Sequence, residues 1–191
     1  MRIKNLKYLT KAVALAGTCF FLVSNLASCQ TSRGINKETI NVKIESKSDS
    51  KVNGEIQILE KAPGLLTFNV NVSGLDPNST HGIHIHEKGD CSAQDAKSAG
   101  GHYNPTNKNH GGPKKMNSHV GDLGNLKANG KGLVKTSFVQ AGLALNQHTN
   151  SERIFSIEGR SIIIHEKRDD LKTNPSGASG KRIACGIIIS D

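Results

Sequence analysis

The fold is decided by residues 54–72, which read GEIQILEKAPGLLTFNVNV. Apolar and polar residues alternate on either side of Pro63 and Gly64, so each half has one apolar face, as a half-buried β-strand does. Proline followed by glycine marks a tight turn between the two halves. The stretch therefore predicts a β-hairpin with one face packed on a hydrophobic core.

The same alternation recurs outside this hairpin, in residues 39–45, 81–86 and 133–139. Residues 161–164 and 186–189 are short apolar runs, which are typical of strands buried on both faces. No segment has a convincing helical period. Seven or eight short strands with glycine-rich turns predict an all-β fold, namely a Greek-key β-barrel or sandwich of about eight antiparallel strands.

Two stretches, residues 87–127 and 166–182, interrupt this pattern and are polar and rich in glycine and asparagine. Loops of this length are uncommon inside a compact domain unless they carry a function. We therefore expect both stretches to be functional loops.

The composition is that of a soluble globular domain, since 35% of the 191 residues are hydrophobic and 21% are charged. These proportions exclude a disordered tail and a multi-span membrane protein. Residues 1–28 hold four Lys and Arg and no acid, so the formal net charge of +9 less these four leaves +5 for the remainder. Its lysines are not interleaved with aromatic residues, which predicts no nucleic-acid partner.

The N-terminus has the features of an export signal. Basic residues precede an apolar stretch at 12–23, which is shorter than the roughly 20 residues of a membrane-spanning helix. A basic start and a short apolar segment are typical of a signal peptide, which we place at residues 1–28.

Residues 26–29, Leu-Ala-Ser-Cys, resemble a bacterial lipobox. They predict a signal of the lipoprotein type, a tether at 29–37 that is lipidated at Cys29 and anchors the chain to a membrane, and a domain at 38–191. Ordinary cleavage near Ala27, with a free thiol, is the alternative. The predicted location is the cell envelope, facing the periplasm. A non-acidic residue after the cysteine favours the outer membrane.

Export also bears on the two cysteines of the domain, Cys91 and Cys185. In an oxidising compartment a disulfide between them is the expected state. Two buried thiols are the alternative.

Six of the eight histidines fall at strand ends or in the first long loop. They are His84 and His86 on one strand face, His102, His110 and His119 in the loop before Asp122, and His165 after an apolar strand. Three imidazoles with one carboxylate suit tetrahedral zinc, so the loop group predicts a zinc site. The strand pair with His165 predicts a second site of nitrogen ligands alone, for which copper is the natural occupant.

These motifs are specific enough to indicate a family. Residues 81–91, HGIHIHEKGDC, resemble the copper-site strand of the copper/zinc superoxide dismutases. The zinc loop of that family is resembled, in order and spacing, by residues 101–105 (GHYNP), 110–113 (HGGP) and 119–125 (HVGDLGN). Residues 164–167 (IHEK) and 182–186 (RIACG) extend a similarity that runs from about residue 39 to 190.

The resemblance implies the family's activity, in which superoxide is converted to dioxygen and hydrogen peroxide by alternate reduction and reoxidation of a histidine-bound copper. It implies one copper and one structural zinc per subunit. The implied copper ligands are His84, His86, His102 and His165, and the implied zinc ligands are His102, His110, His119 and Asp122. His102 would therefore bridge the two metals.

The resemblance also implies roles around the metals. Asp169 would link the rings of His84 and His110 and so couple the two sites. Arg182 would hold the anionic substrate beside the copper. His102 would join it in catalysis, because it would release copper and take up a proton.

Some features depart from the animal members. Residues 170–181 are short and lack their usual acidic and basic set, so steering of superoxide would rely on other charges such as Lys172 and Lys181. A homodimer is expected, but no interface is assigned, because the dimer face of the animal enzymes cannot be transferred to this chain. His81 matches a structural histidine, and His148, which matches no ligand, is expected at the surface.

The alternative function is a non-enzymatic, lipid-anchored protein that stores or buffers copper and zinc. The chain retains all seven implied metal ligands, together with Asp169 and Arg182, and this favours the enzyme. A purely structural or adhesive β-sandwich would need none of these residues.

Overall fold

The structure is a computed structural model that describes residues 38–113, 115, 117–146 and 153–190. The strands are β1 (Thr39–Ser46), β2 (Asn53–Ala62), β3 (Leu65–Ser73), β4 (Thr80–His86), β5 (Asp122–Lys127), β6 (Val134–Ala141), β7 (Leu143–Ala144), β8 (Phe155–Ser156), β9 (Arg160–His165) and β10 (Arg182–Ile188). A single-turn 3-10 helix covers Lys97–Ala99. In this part of the chain, no helix is long and apolar enough to cross a membrane.

Eight of the strands form one antiparallel sheet in the order β5-β4-β9-β10-β1-β2-β3-β6. The connections from β3 to β4 and from β6 to β9 cross between strands that are not neighbours, as in a Greek key. β5 and β6, at the two ends of this order, line a common groove, so the sheet curls into a nearly closed barrel. The predicted all-β fold of about eight antiparallel strands is confirmed, with a short parallel pair, β7 and β8, added to it.

The hydrophobic core lies inside this barrel. The hairpin predicted from residues 54–72 is β2 and β3, and it pairs Ile58 with Phe68 in the register that turns both side chains inward. The ring of Phe68 stacks on that of Phe138, with 5.1 Å between their centroids. The inward positions of β1, β4, β9 and β10 are filled mostly by branched aliphatic residues, since only 4% of the residues in this chain are aromatic.

Two strand boundaries differ from the sequence prediction. Residues 122–127, placed in the first long loop, form β5, which pairs with β4 and is buried on both faces over most of its length. A strand buried on both sides does not alternate, so the period of two could not detect it. β10 begins at Arg182 rather than at 186, because an irregularity between Arg182 and Ala184 breaks the pattern.

The first long loop packs on the outer face of β4. The backbone N–H of Tyr103 donates to Ile85 O (2.8 Å), and that of Ile85 donates to Gly121 O (2.9 Å). β4 is therefore buried on both faces except at its first residue. In this position the loop covers the side chains of β4 that point away from the core.

The disulfide predicted between Cys91 and Cys185 is confirmed. It joins the start of the first long loop to β10, across a sequence separation of 94 residues. Beside it, Ala96, Ala99 and Ile163 form a small buried cluster outside the barrel.

The double variant Cys91→Ser/Cys185→Ser tests the contribution of this bond. A cross-link that closes a loop of this length removes chain entropy from the unfolded state, so its loss should lower the free energy of unfolding by about 4–5 kcal/mol. Guanidinium denaturation of both proteins measures the difference. A thiol reductant should bring the parent to the variant's value and leave the variant unchanged, and equal stability of the oxidised parent and the variant would contradict the prediction.

Candidate metal centre

The first two histidines of the centre are placed by the alternation of side chains along β4. Ile83 and Ile85 point into the barrel, so His84 and His86 point to the opposite face, beneath the first long loop. Both imidazoles are buried there. The strand therefore supplies two rings whose positions are set by the barrel.

His102 reaches the same place from the loop, because it pairs with His86 as an isolated β-bridge. The turn before it depends on Gly100, which has a φ of +75° and leaves no space for a side chain, since a Cβ would collide with Glu87 Oε1. The same carboxylate accepts a hydrogen bond from the backbone N–H of Gly101 (3.1 Å). The loop thus meets β4 along a closely fitted backbone contact.

Four imidazole nitrogens form the first candidate metal cluster. All four are buried and have no hydrogen-bond partner among the described residues, which is costly unless another group binds them. They are His84 Nδ1, His86 Nε2, His102 Nε2 and His165 Nε2, and their residues lie close enough together to share one ion.

In two of these rings, His86 and His165, the hydrogen bond made by the other nitrogen, Nδ1, fixes the tautomer. His86 Nδ1 is 3.0 Å from Gly100 O, and His165 Nδ1 is 3.3 Å from Gly180 O. A carbonyl oxygen only accepts, so each Nδ1 carries the proton and donates it. Each Nε2 is then left with a free electron pair, as a metal ligand requires.

The second cluster is built around Asp122. Its Oδ1 lies 2.9 Å from His102 Nδ1, 3.1 Å from His110 Nδ1 and 3.2 Å from His119 Nδ1. Ligand atoms around a tetrahedral zinc ion lie about 3.3 Å apart, so these distances fit the edges of such a site. The other oxygen, Oδ2, accepts the backbone N–H groups of Gly111 (2.9 Å) and His119 (3.0 Å).

Asp169 connects the two clusters. Its Oδ2 lies 2.8 Å from His84 Nε2, and its Oδ1 lies 2.8 Å from His110 Nε2. Both rings are fully buried, so the carboxylate fixes which nitrogen of each remains available for a metal.

Two further residues that hold Asp169 were missed in the sequence. Asn125 donates from Nδ2 to Asp169 O (3.0 Å) and accepts from Asp169 N at Oδ1 (2.8 Å). Gly177 has a φ of +66°, and a Cβ there would collide with Asp169 Oδ1. Asn125 ends the HVGDLGN motif quoted above, but it lies 44 positions from Asp169 in the sequence. No spacing rule connects Asn125 or Gly177 with that carboxylate.

The four rings of the first cluster are neutral near pH 7. Burial lowers the pKa of His84 and brings that of His102 to about 4. Burial, with the charges of neighbouring histidines and Arg182, holds the pKa of His86 and His165 well below the ordinary value. Neutral imidazole is the form that binds a metal ion.

The two carboxylates are ionised. Burial alone would raise their pKa values, but hydrogen bonds from His102 and His110 hold the pKa of Asp122 well below its usual range, and those from His110 and His84 do the same for Asp169. Burial likewise opposes the charged form of His110, but both carboxylates raise its pKa to about 9, so near pH 7 its ring is protonated on both nitrogens and would lose the Nδ1 proton on binding a metal ion. The site therefore has negative charge with which to bind cations.

Arg182 lies beside the first cluster and is half-buried. Its Nη1 donates to Ala96 O (2.8 Å), and its charge contributes to the low pKa of His86 and His165. It lines a surface cleft of ≈ 610 Å³, together with Lys97 and Lys181. The lining also holds Asp49 and Asp95, and Asp95 pairs with Lys97 (2.8 Å). Arg182 and Lys181 therefore supply the positive charge that an entering anion meets.

The remaining predicted residues fall into two groups. His81 is buried and its Nδ1 bonds to His165 O (2.8 Å), so it contacts the backbone of the first cluster without joining it. His148 and Cys29, with the tether at 29–37, lie outside the described residues.

Asp169→Asn tests the link between the clusters. An amide offers one acceptor where the carboxylate offers two, so one ring loses its partner and its tautomer. Changes to such supporting residues typically cost 10–100-fold in metal affinity, and competition with a chromophoric chelator should show a loss of about this size for zinc or copper. Asp170→Asn is the control, because that side chain bonds only within its exposed turn. Unchanged affinity in Asp169→Asn would contradict the role.

Comparison with known proteins agrees with these features. A family model described as copper/zinc superoxide dismutase matches residues 52–188. The chain is 36% identical over 141 residues to a protein of Aquifex aeolicus named superoxide dismutase [Cu-Zn] 2, covering 74% of this chain and 81% of that one. It is 38% identical over 143 residues to the superoxide dismutase-like protein YojM of Bacillus subtilis, covering 75% and 72%. It is 42% identical over 137 residues to an extracellular superoxide dismutase [Cu-Zn] of Caenorhabditis elegans, covering 68% and 58%.

Proposed function

The chain belongs to the copper/zinc superoxide dismutase family, and we propose that each subunit holds one copper and one zinc ion in its two histidine clusters. It is an oxidoreductase that converts superoxide to dioxygen and hydrogen peroxide, with copper and zinc as its cofactors. The assignment of ligands rests on one observation above all. Four buried ring nitrogens without hydrogen-bond partners converge in the first cluster.

The first cluster suits copper. Its donors are His84 Nδ1, His86 Nε2, His102 Nε2 and His165 Nε2, and a site of imidazole nitrogens alone favours copper in the order of divalent metals. Copper bound there would supply the redox chemistry, the transfer of an electron from one superoxide to another.

The second cluster suits zinc, because it adds a carboxylate to three imidazoles at tetrahedral spacing. His102 belongs to both clusters, with Nδ1 in the second and Nε2 in the first. We propose that its ring bridges the two metals. Its Nε2 has no hydrogen-bond partner among the described residues. When released from copper, this nitrogen would take a proton from solvent and give it to the second superoxide as that anion is reduced.

Arg182 acts on the substrate rather than on the metals. Its guanidinium is held by Ala96 O and lines a cleft in which Lys181 adds positive charge, whereas Lys97 is paired with Asp95. Superoxide is a small anion, so this charge raises its concentration beside the copper cluster and orients it there. Lys172, in loop 170–181, is the other charge expected to steer the substrate, although it does not line this cleft.

Arg182→Ala should lower the rate of superoxide consumption by about tenfold, because the charge that attracts the anion is lost. Both proteins are expressed as residues 30–191 and loaded with copper and zinc, and rate and metal content are measured together. Lys131→Ala, in an exposed turn, is the control.

The loaded parent should show copper-dependent activity with about one copper and one zinc per chain. Full metal loading without activity would favour the metal-storage alternative. Loss of either metal on the Arg182 change would show that Arg182 supports the cluster and not the substrate.

We propose further that the protein is exported and anchored in the cell envelope through lipid on Cys29, facing the periplasm, with the outer membrane as its location. The lipobox-like residues 26–29 and the non-acidic Gln30 support this. An extracellular enzyme occurs among the similar proteins, and the Cys91–Cys185 disulfide fits an oxidising compartment. Homodimer formation stays a prediction.

Cys29→Ser tests the anchor. Without the thiol no acyl chain is attached, so the variant should move from the membrane fraction to the soluble fraction and lose labelling by an alkyne fatty acid. Cys19→Ser, within the predicted signal peptide, is the matched control and should change neither property. Continued labelling of Cys29→Ser would contradict lipidation at this residue.

A further inference from the structure

Arg160, the first residue of β9, makes contacts that the proposed mechanism does not use. Its Nη1 donates to Glu87 O (2.8 Å), and its Nε donates to Ser156 O (3.2 Å). Its guanidinium carbon lies 3.5 Å from the centroid of the Tyr103 ring, a cation–π contact. One planar group therefore contacts the residue that follows β4, Tyr103 of the first long loop, and β8 at once.

Two of these partners directly follow proposed copper ligands. Glu87 comes after His86, and Tyr103 comes after the proposed bridge His102. The backbones of the two segments are also joined to each other, because the N–H of Glu87 donates to Gly101 O (3.0 Å). Arg160 thus holds both sides of the junction at which the strand ligand meets the loop ligand.

The surroundings keep this contact in place. The Tyr103 ring is buried and packs edge-on against Phe155, with 6.5 Å between the centroids. The backbone of Tyr103 is bonded to Ile85 O and accepts from Gly121 N (2.9 Å), one residue before Asp122. A shift of the ring would therefore move the backbone of His102 relative to both clusters.

We propose that Arg160 is a positioning residue that sets the separation of His86 and His102, and through it the geometry of the copper ligands. The proposal rests on the ligand assignment made above. Arg160 touches neither cluster, so it acts through Glu87 and Tyr103. A fork-shaped guanidinium suits this task, because it donates in its plane to one residue and stacks on another.

The test compares the electron paramagnetic resonance spectrum of Cu(II) in the fully loaded parent, Arg160→Met, Tyr103→Leu and Tyr103→Phe. The spectrum reports ligand geometry, which loss of stability alone does not alter. Arg160→Met and Tyr103→Leu should change it and speed copper removal by a chelator about tenfold, with zinc retained. Tyr103→Phe keeps the ring face and should match the parent.

Ile188→Val is the matched control, because Ile188 pairs with Arg160 across β9 and β10 but faces the barrel core. It should lower stability and leave the spectrum unchanged. Parent-like spectra in both Arg160→Met and Tyr103→Leu would overturn the proposal. If Arg160→Met does not fold, Arg160→Lys decides by the same two outcomes. A parent that binds no copper would instead refute the ligand assignment.

Discussion

A buried carboxylate must have its charge compensated, and this constraint governs the centre of the protein. Asp122 is fully buried, and its oxygens contact three imidazoles and two backbone N–H groups. Asp169 is equally buried and contacts two imidazoles. Four of the six clustered histidines are therefore held by charged hydrogen bonds. Metal ions bound by these rings would complete the compensation of the buried negative charge.

The barrel and the loops have different parts in this arrangement. β4 and β9 carry His84, His86 and His165 at positions set by the packing of the core. The first long loop and the start of β5 bring the remaining proposed ligands to them, and the loop is held by backbone bonds to β4 and by the disulfide to β10. The loop is thus fixed at both its start and its middle. A site shared between rigid strands and a fixed loop keeps its geometry during repeated redox cycles.

Much of this could be predicted from the sequence, since it depends on local patterns. Alternation in residues 54–72 predicted the central hairpin, and the spacing of histidines predicted two groups of ligands. β5 could not be recognised, because residues 122–127 are buried on both faces and do not alternate. Nor could the sequence show which nitrogen of each ring stays free. That depends on carbonyls such as Gly100 O and Gly180 O, which only the folded loops bring to the rings.

The supporting contacts were hidden for a similar reason. Asn125 bonds to Asp169 and Arg160 to Glu87 across 44 and 73 residues. Neither residue type at these positions indicates a partner so far along the chain. Such contacts follow from the crossing connections of the Greek key, which bring distant loops to the same end of the barrel.

The central claim is that His102 bridges two metals through its two ring nitrogens. The most direct test loads Cu(II) into the first cluster and Co(II) into the second and records the copper resonance. A bridging imidazolate couples the two unpaired spins, so the account predicts that the copper signal nearly vanishes when Co(II) is added and returns when zinc replaces it. A copper signal of full intensity with both clusters filled would contradict the bridge.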